Sequence, residues 1–152
     1  MELPKRKSMR LQEYDYSQTN AYYITICTHE KENLFGNVGA DSISARMIND
    51  VFLETIEQYS NVKCPKYVIM PNHMHAIIVI ERADMESAPT IPEIIQTFKR
   101  HTTIKYIEMV KQNTLPPFNK QIWQRSYYDH VIRNEQEYQK IWEYIDTNPL
   151  KW

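Results

Sequence analysis

The sequence predicts an α+β fold: a ferredoxin-like split βαβ arrangement, with an antiparallel sheet, helices on one face and a C-terminal tyrosine-bearing helix. Three observations predict it. Short β-branched and aromatic runs alternate with longer segments whose apolar residues recur at helical spacing. Two of those runs, in "YVIMPNHMHAIIVI", are separated only by Pro71-Asn72. The resulting order is strand, helix, strand, strand, helix, strand, helix, and its first six elements are the split βαβ pattern. At 152 residues, 42% hydrophobic and 24% charged, the chain is expected to form one domain over residues 1–152. Residues 1–16 would be a basic N-terminal arm.

The elements follow in order. "AYYITICTH", Ala21–His29, is β-branched and aromatic with partial alternation, so it reads as a strand. The loop "EKENLFGNVGADS" holds both glycines. In "SISARMINDVFLETIEQYS", Ile43, Met47, Val51 and Ile56 recur at helical intervals, and Ser42 or Ser44 can cap the helix. Two strands follow, Lys66–Met70 and Met74–Ile80, with a tight turn at Pro71-Asn72. After the linker "DMESAPT", Thr90 caps a second helix with Pro92 in its first turn, and Ile95, Phe98, Ile104 and Ile107 are expected to face inward. "QNTLPPFNKQ" breaks it. A last strand, Tyr127–Ile132, leads to a helix capped by Asn134 and expected to stop before Pro149.

Composition excludes several classes. Cys27 and Cys64 have no CxxC partner, which argues against a disulfide framework and a thiolate zinc site. The opening "MELPKRKSMRLQEYDYS" is polar and basic, unlike a secretory leader, and no apolar stretch nears the ~18 residues of a membrane span. A reduced cytoplasmic protein with no membrane association is expected. The net charge is −1, so any polyanion contact must come from local basic clusters: Lys5, Arg6, Lys7 and Arg10 near the start, and Lys99, Arg100 and Lys105 within about two helical turns. An ordinary solvated tail and helix face explain these clusters equally well.

The unusual feature is "NHMH". On a strand, residues i and i+2 share a face, so His73 and His75 project together about 7 Å apart, while Met74 points to the apolar side. Two imidazoles so placed can close on one divalent cation; alternatively, each is simply a satisfied, half-buried polar residue. No HExxH motif is present to complete the site. The last helix offers Tyr144 and Asn148, spaced i and i+4 and hence on one helical face. An amide oxygen can complete a metal shell, and a phenol can attack a phosphorus. Core packing for Tyr144 and a C-cap role for Asn148 are the competing explanations.

With these residues in place, the chain resembles the single-tyrosine HUH transposases, in particular the REP-associated tyrosine transposases. The resemblance rests on the His-hydrophobe-His strand after "MPN", on "WQRSYYDHVIRNEQEY", on "YIDTNPLKW" and on the opening "PKRKSMRLQEYDYSQTNAYYITICTHEKENLFG". It implies that His73 and His75 are metal ligands, Asn148 the third ligand and Tyr144 the nucleophile. It further implies cleavage of single-stranded DNA near hairpins through a 5′-phosphotyrosine link, a free 3′-OH, and a need for Mg²⁺ or Mn²⁺. The acting unit would be a monomer or a homodimer. Hard oxygen ligands would suit Mg²⁺ best, and two imidazoles and an amide shift preference towards Mn²⁺ or other transition metals.

Tyr127, Tyr128 and Tyr138 are rival nucleophiles. The first two should lie on a strand without a partner amide, and Tyr138 lies six residues before Tyr144, on a different helical face. His130 is either a further polar group near the site or a packed strand histidine. For DNA binding, Lys5, Arg6, Lys7, Arg10, Lys99 and Arg100 are candidates for phosphate contacts. Trp123, Tyr127 and Tyr128 are candidates for stacking unpaired bases. Two other functions fit the same residues: a hairpin-DNA-binding protein without catalysis, and a metal-dependent phosphodiesterase acting on small esters.

Overall fold

The computed structural model describes residues 20–36, 42–81 and 89–151. Its elements run β1 (Asn20–Cys27), α1 (Ile43–Glu57), β2 (Val62–Met70), β3 (His73–Ile80), α2 (Ile91–Lys111), β4 (Tyr128–Ile132) and α3 (Glu135–Lys151). The strands form one antiparallel sheet in the order β2-β3-β1-β4, which is the ferredoxin-like order the sequence predicts. The arm residues Lys5, Arg6, Lys7 and Arg10 lie outside the described residues. Among those described, no helix is long and apolar enough to cross a membrane.

Strand alternation splits the molecule into two layers of packing. Met74, Ala76, Ile78 and Ile80 of β3 join Ile24 and Ile26 of β1 in the main core beneath α1 and α2. Ile77 points the other way and packs with Ile132 and Ile145 under α3. Thus α1 and α2 cover one face, and α3 lies across the other. His73 and His75, in phase with Ile77, belong to the α3 face.

Local chemistry sets the helix ends. Ser42 is the cap of α1, its side chain accepting from the Ala45 N–H at 3.0 Å, while the Ser44 hydroxyl donates to Leu34 O. Thr90 and Glu93 form a reciprocal capping box at α2. Asn134 caps α3 by accepting from the Glu137 N–H at 2.8 Å. The two-residue Pro71-Asn72 turn is held from outside: its carbonyls accept from Phe35 N–H, Thr28 N–H and the Thr28 hydroxyl.

Four expectations need correction. Ile104 and Ile107 are 52% and 37% exposed. The buried stripe of α2 is Ile91, Ile94, Ile95, Phe98, Thr102 and Tyr106, a run of three- and four-residue steps that turns 104 and 107 outward. Ile43 of α1 is exposed for the same reason. Strand β2 begins four residues earlier than expected, at Val62, and absorbs Pro65 through a register shift between Lys63 and Lys66. Finally, α3 continues through Pro149 to Lys151. A proline in the last turn removes only the bond to the Ile145 carbonyl, a smaller loss than in a helix interior.

Candidate active site

His73 opens β3 immediately after the buttressed turn, and His75 follows on the same face. Their ring centroids are 4.8 Å apart, closer than the strand repeat of about 7 Å, because the rings lean together. Each is oriented by its own partner. His73 Nδ1 lies 2.7 Å from Asn72 Oδ1. That oxygen can only accept, so the contact favours the tautomer with the proton on Nδ1 and the lone pair on Nε2. His75 Nδ1 sits 2.8 Å from Thr25 Oγ1 and 3.1 Å from Tyr23 Oη. Thr25 stands directly opposite His75 in the β1–β3 ladder, and Cys27 opposite His73.

Burial dominates the electrostatics. It lowers the His75 pKa from 6.5 to about 4, with His73 adding to the effect. Burial also lowers that of His73, opposed by a hydrogen bond with the Asn148 side chain and reinforced by the charge of Lys31. Both rings are therefore neutral at pH 7, the form a metal ion requires.

Helix α3 brings the rest. Ile145, fully buried against Ile77 and Ile132, sets the rotation of the helix. Tyr144 then projects over the histidines, its ring centroid 5.5 Å from that of His75 in the same chain. One turn on, Asn148 is 8% exposed and meets His73. Tyr144 itself is 45% exposed, open to a large substrate. Two side-chain contacts tie the helix to the sheet. The Lys66 ammonium donates to Asp146 Oδ1 at 2.6 Å and lies over the Trp142 ring, and His130 of β4 pairs with the buried Glu137.

A cleft of about 280 Å³ is lined by Cys27, Lys31, Asn72, His73, His75 and Tyr144. A larger one, about 390 Å³, lies between α1 and α2 but holds neither imidazole nor phenol, so the chemistry belongs to the smaller. Among the described residues no three His, Cys, Asp or Glu side chains converge as a metal cluster. What does converge is two neutral imidazoles with fixed Nδ1 partners and a buried amide. This N,N,O donor set fits a single divalent cation of the Mn²⁺ or Mg²⁺ type.

A family profile described as "Transposase IS200 like" matches residues 16–148. The chain belongs to the IS200-like transposase family. An uncharacterized protein of Haemophilus influenzae is 32% identical over 97% of this chain and 89% of its own length. A REP-associated tyrosine transposase of Escherichia coli is 33% identical over 56% of this chain and 42% of its own length. Among solved structures, a REP-associated tyrosine transposase bound to a REP hairpin superposes with a TM-score of 0.65 at 19% identity. It covers 93% of this chain and 74% of that one, a likeness of fold.

Within this transposase framework, the structure gathers His73, His75, Tyr144 and Asn148 at one point. The rivals fall elsewhere. Tyr138 packs beside Trp142 in the α3 core, and Tyr127 lies over the Lys99 ammonium. Tyr128 is 45% exposed and meets Tyr23 edge-on. Trp123 corrects the expectation of base stacking. It is 4% exposed, packs between Phe35 and Phe98, and donates its indole N–H to Thr102 Oγ1 at 2.8 Å, so it offers no open face. Lys99 corrects the expectation of a free phosphate contact: its half-buried ammonium donates to the carbonyls of Gln124, Arg125 and Ser126. Arg100 remains exposed on α2.

Sequence reasoning missed Tyr23, Thr25 and Asn72. Alternation within "YYITIC" places Tyr23, Thr25 and Cys27 on one face, but only the register with β3 assigns Thr25 to His75.

Proposed function

We propose that this family member is a metal-dependent single-stranded DNA endonuclease and strand transferase that acts beside hairpin DNA. Tyr144 Oη attacks the scissile phosphorus, a P–Oη bond forms, and the bond from phosphorus to the 3′ oxygen breaks. The phenol proton ends on the departing oxygen, leaving a free 3′-OH and a 5′-phosphotyrosine. Because one phosphoester replaces another, the linkage can be resealed by a 3′-OH without an external energy source.

His73, His75 and Asn148 would hold the cation, Mg²⁺ or Mn²⁺, which when bound supplies Lewis acidity at the scissile phosphate. A phenol, with a pKa near 10, is a weak nucleophile at neutral pH, which is why the reaction needs that assistance. The chain's own part is positional. Asn72 and Thr25 orient the imidazoles, and the docked helix holds the phenol ring over them.

The single observation supporting this reading most strongly is the 5.5 Å approach of the Tyr144 and His75 rings within one chain. It makes a complete site possible in a monomer. The hairpin partner is drawn from the relative solved with a REP hairpin. In the test, labelled hairpin-flanked oligonucleotides are incubated with protein and Mn²⁺ and resolved on a denaturing gel. Label should migrate with the wild-type protein and not with Tyr144→Phe. Attachment that survives in Tyr144→Phe assigns the nucleophile elsewhere. DNA binding with no attachment in the wild type would instead favour the non-catalytic hairpin binder.

A further inference from the structure

A second cleft, about 300 Å³, opens on the α3 side of the sheet and is lined by Thr25, Cys27, Gln124, Ser126, Tyr127 and Tyr128. We propose that it is a single-nucleotide subsite, which receives the unpaired nucleotide adjoining the scissile phosphate and stacks its base on Tyr128. The inference rests on the function proposed above and assigns the part of the substrate that this surface takes.

Continuity carries the argument first. Cys27 lines both this cleft and the one holding the imidazoles. Thr25 lines this cleft while its hydroxyl touches His75 Nδ1. A polynucleotide with its phosphate at the His pair therefore has this cleft as the next space along the strand. The volume lies at the lower end of ligand-binding pockets, about 300 Å³, enough for one nucleotide and not for a duplex.

The wall is polarised to suit that occupant. The segment 124–126 borders both this cleft and another, lined by Lys99, Lys120 and Arg125 among others, with Gln124 lining both. Lys99 draws the carbonyls of Gln124, Arg125 and Ser126 to itself at 2.8, 3.3 and 3.5 Å. In a trans peptide the N–H points opposite to the C=O. The amides of Arg125, Ser126 and Tyr127 are thus turned away from the Lys99 ammonium, and any that face the nucleotide would favour its phosphate. The loop is further fixed by the Gln124 N–H, which donates to Cys27 O at 2.9 Å.

The remaining side chains suit a base. Tyr128 is 45% exposed at the rim and braced edge-on by Tyr23, centroid to centroid 5.8 Å, so it offers a rigid aromatic surface. The Gln124 side-chain amide both donates and accepts, as a base edge requires.

The test is a fluorescence scan. 2-Aminopurine replaces each base of the single-stranded flank of a hairpin oligonucleotide in turn. Binding to the full chain is measured in EDTA to keep the DNA intact, and the cleavage position is mapped separately with Mn²⁺. Quenching is expected at one position, next to the mapped cleavage site, and should vanish in Tyr128→Ala but persist in Tyr128→Phe. The affinity advantage of flanked over flankless hairpin should fall roughly tenfold in Tyr128→Ala, as loss of one stacked base implies. Gln124→Ala, which keeps the backbone bond to Cys27, should flatten base preference at that position. Normal cleavage without position-specific quenching, or equal weakening of flanked and flankless hairpins, overturns the subsite. Failure of the wild type to form any covalent adduct overturns the proposed function itself.

Discussion

Thr25→Val isolates the outer support of the proposed cation site. The substitution keeps the branched shape and removes one hydroxyl, the group 2.8 Å from His75 Nδ1. Tyr23 Oη remains at 3.1 Å, so the ring keeps one of its two partners. Loss of a hydrogen bond that orients a ligating histidine typically weakens metal binding by about 10- to 100-fold. With Tyr23 still in place the low end applies: Mn²⁺ affinity should fall about tenfold. The fold itself should lose only about 1 kcal/mol, the net worth of an ordinary hydrogen bond. Titration of Mn²⁺ followed by electron paramagnetic resonance reads the affinity without DNA or turnover. Thr25→Ser should restore it, and Thr25→Val/Tyr23→Phe should weaken it further. Unchanged Mn²⁺ affinity in the double variant would refute the reasoning that β1 orients the imidazole.

Three further outcomes follow from the same contacts. Because burial holds the His75 pKa at about 4 against 6.5 when exposed, the unfolded chain binds the extra proton first as pH falls. Metal-free protein should therefore keep its full stability above pH 6.5 and lose up to roughly 3 kcal/mol between pH 6.5 and 4. Urea melts across that range should show His75→Gln with a shallower slope. His130→Ala leaves the Glu137 carboxylate, 7% exposed, without its strand partner and should cost about 3 kcal/mol in the same assay. Its Tyr144-dependent adduct should also weaken as the root of α3 loosens. Trp123→Phe removes the indole donor to Thr102 and should lower stability by about 1–2 kcal/mol. Gel-shift affinity for DNA should stay unchanged, and a large loss of affinity would return Trp123 to the binding surface.

The order of elements was legible because each carries a local signal: alternation in β1 and β3, capping at Ser42, Thr90 and Asn134, and a two-residue turn at Pro71-Asn72. The grouping of Tyr144 with Asn148 was legible for the same reason, since helical spacing alone puts them on one face. What the chain concealed is tertiary. Nothing local distinguishes Ile104 from Ile95; only the choice of which face of α2 is buried separates them. Trp123 and Tyr128 both sit in a polar, aromatic stretch, and the hydrogen bond to Thr102, 21 residues away, is what commits Trp123 to the core. Lys99 reads as a phosphate ligand until the loop at 124–126 folds its carbonyls onto it. The partners of His75 depend on strand register, which a sequence without a second chain to compare does not specify.

The two faces of the sheet divide stability from chemistry. Strand β3 sends Met74, Ala76, Ile78 and Ile80 into the large core beneath α1 and α2, so its backbone is fixed by apolar packing that involves no catalytic group. The opposite face can then carry His73 and His75 close together at a cost that the core offsets. On that face, among the described residues, α3 has a smaller apolar footing, centred on Ile145, joined by the Lys66–Asp146 and His130–Glu137 contacts. Under the proposed function, a phenol that approaches a phosphate, becomes covalently attached to DNA and later releases it benefits from a support of that kind. The imidazoles sit on the strand anchored by the large core, while the proposed nucleophile Tyr144 rides on the helix with the smaller apolar footing. That asymmetry predicts where substitutions act: those in the α1–α2 core should unfold the chain, and those under α3 should first change the Tyr144 adduct yield.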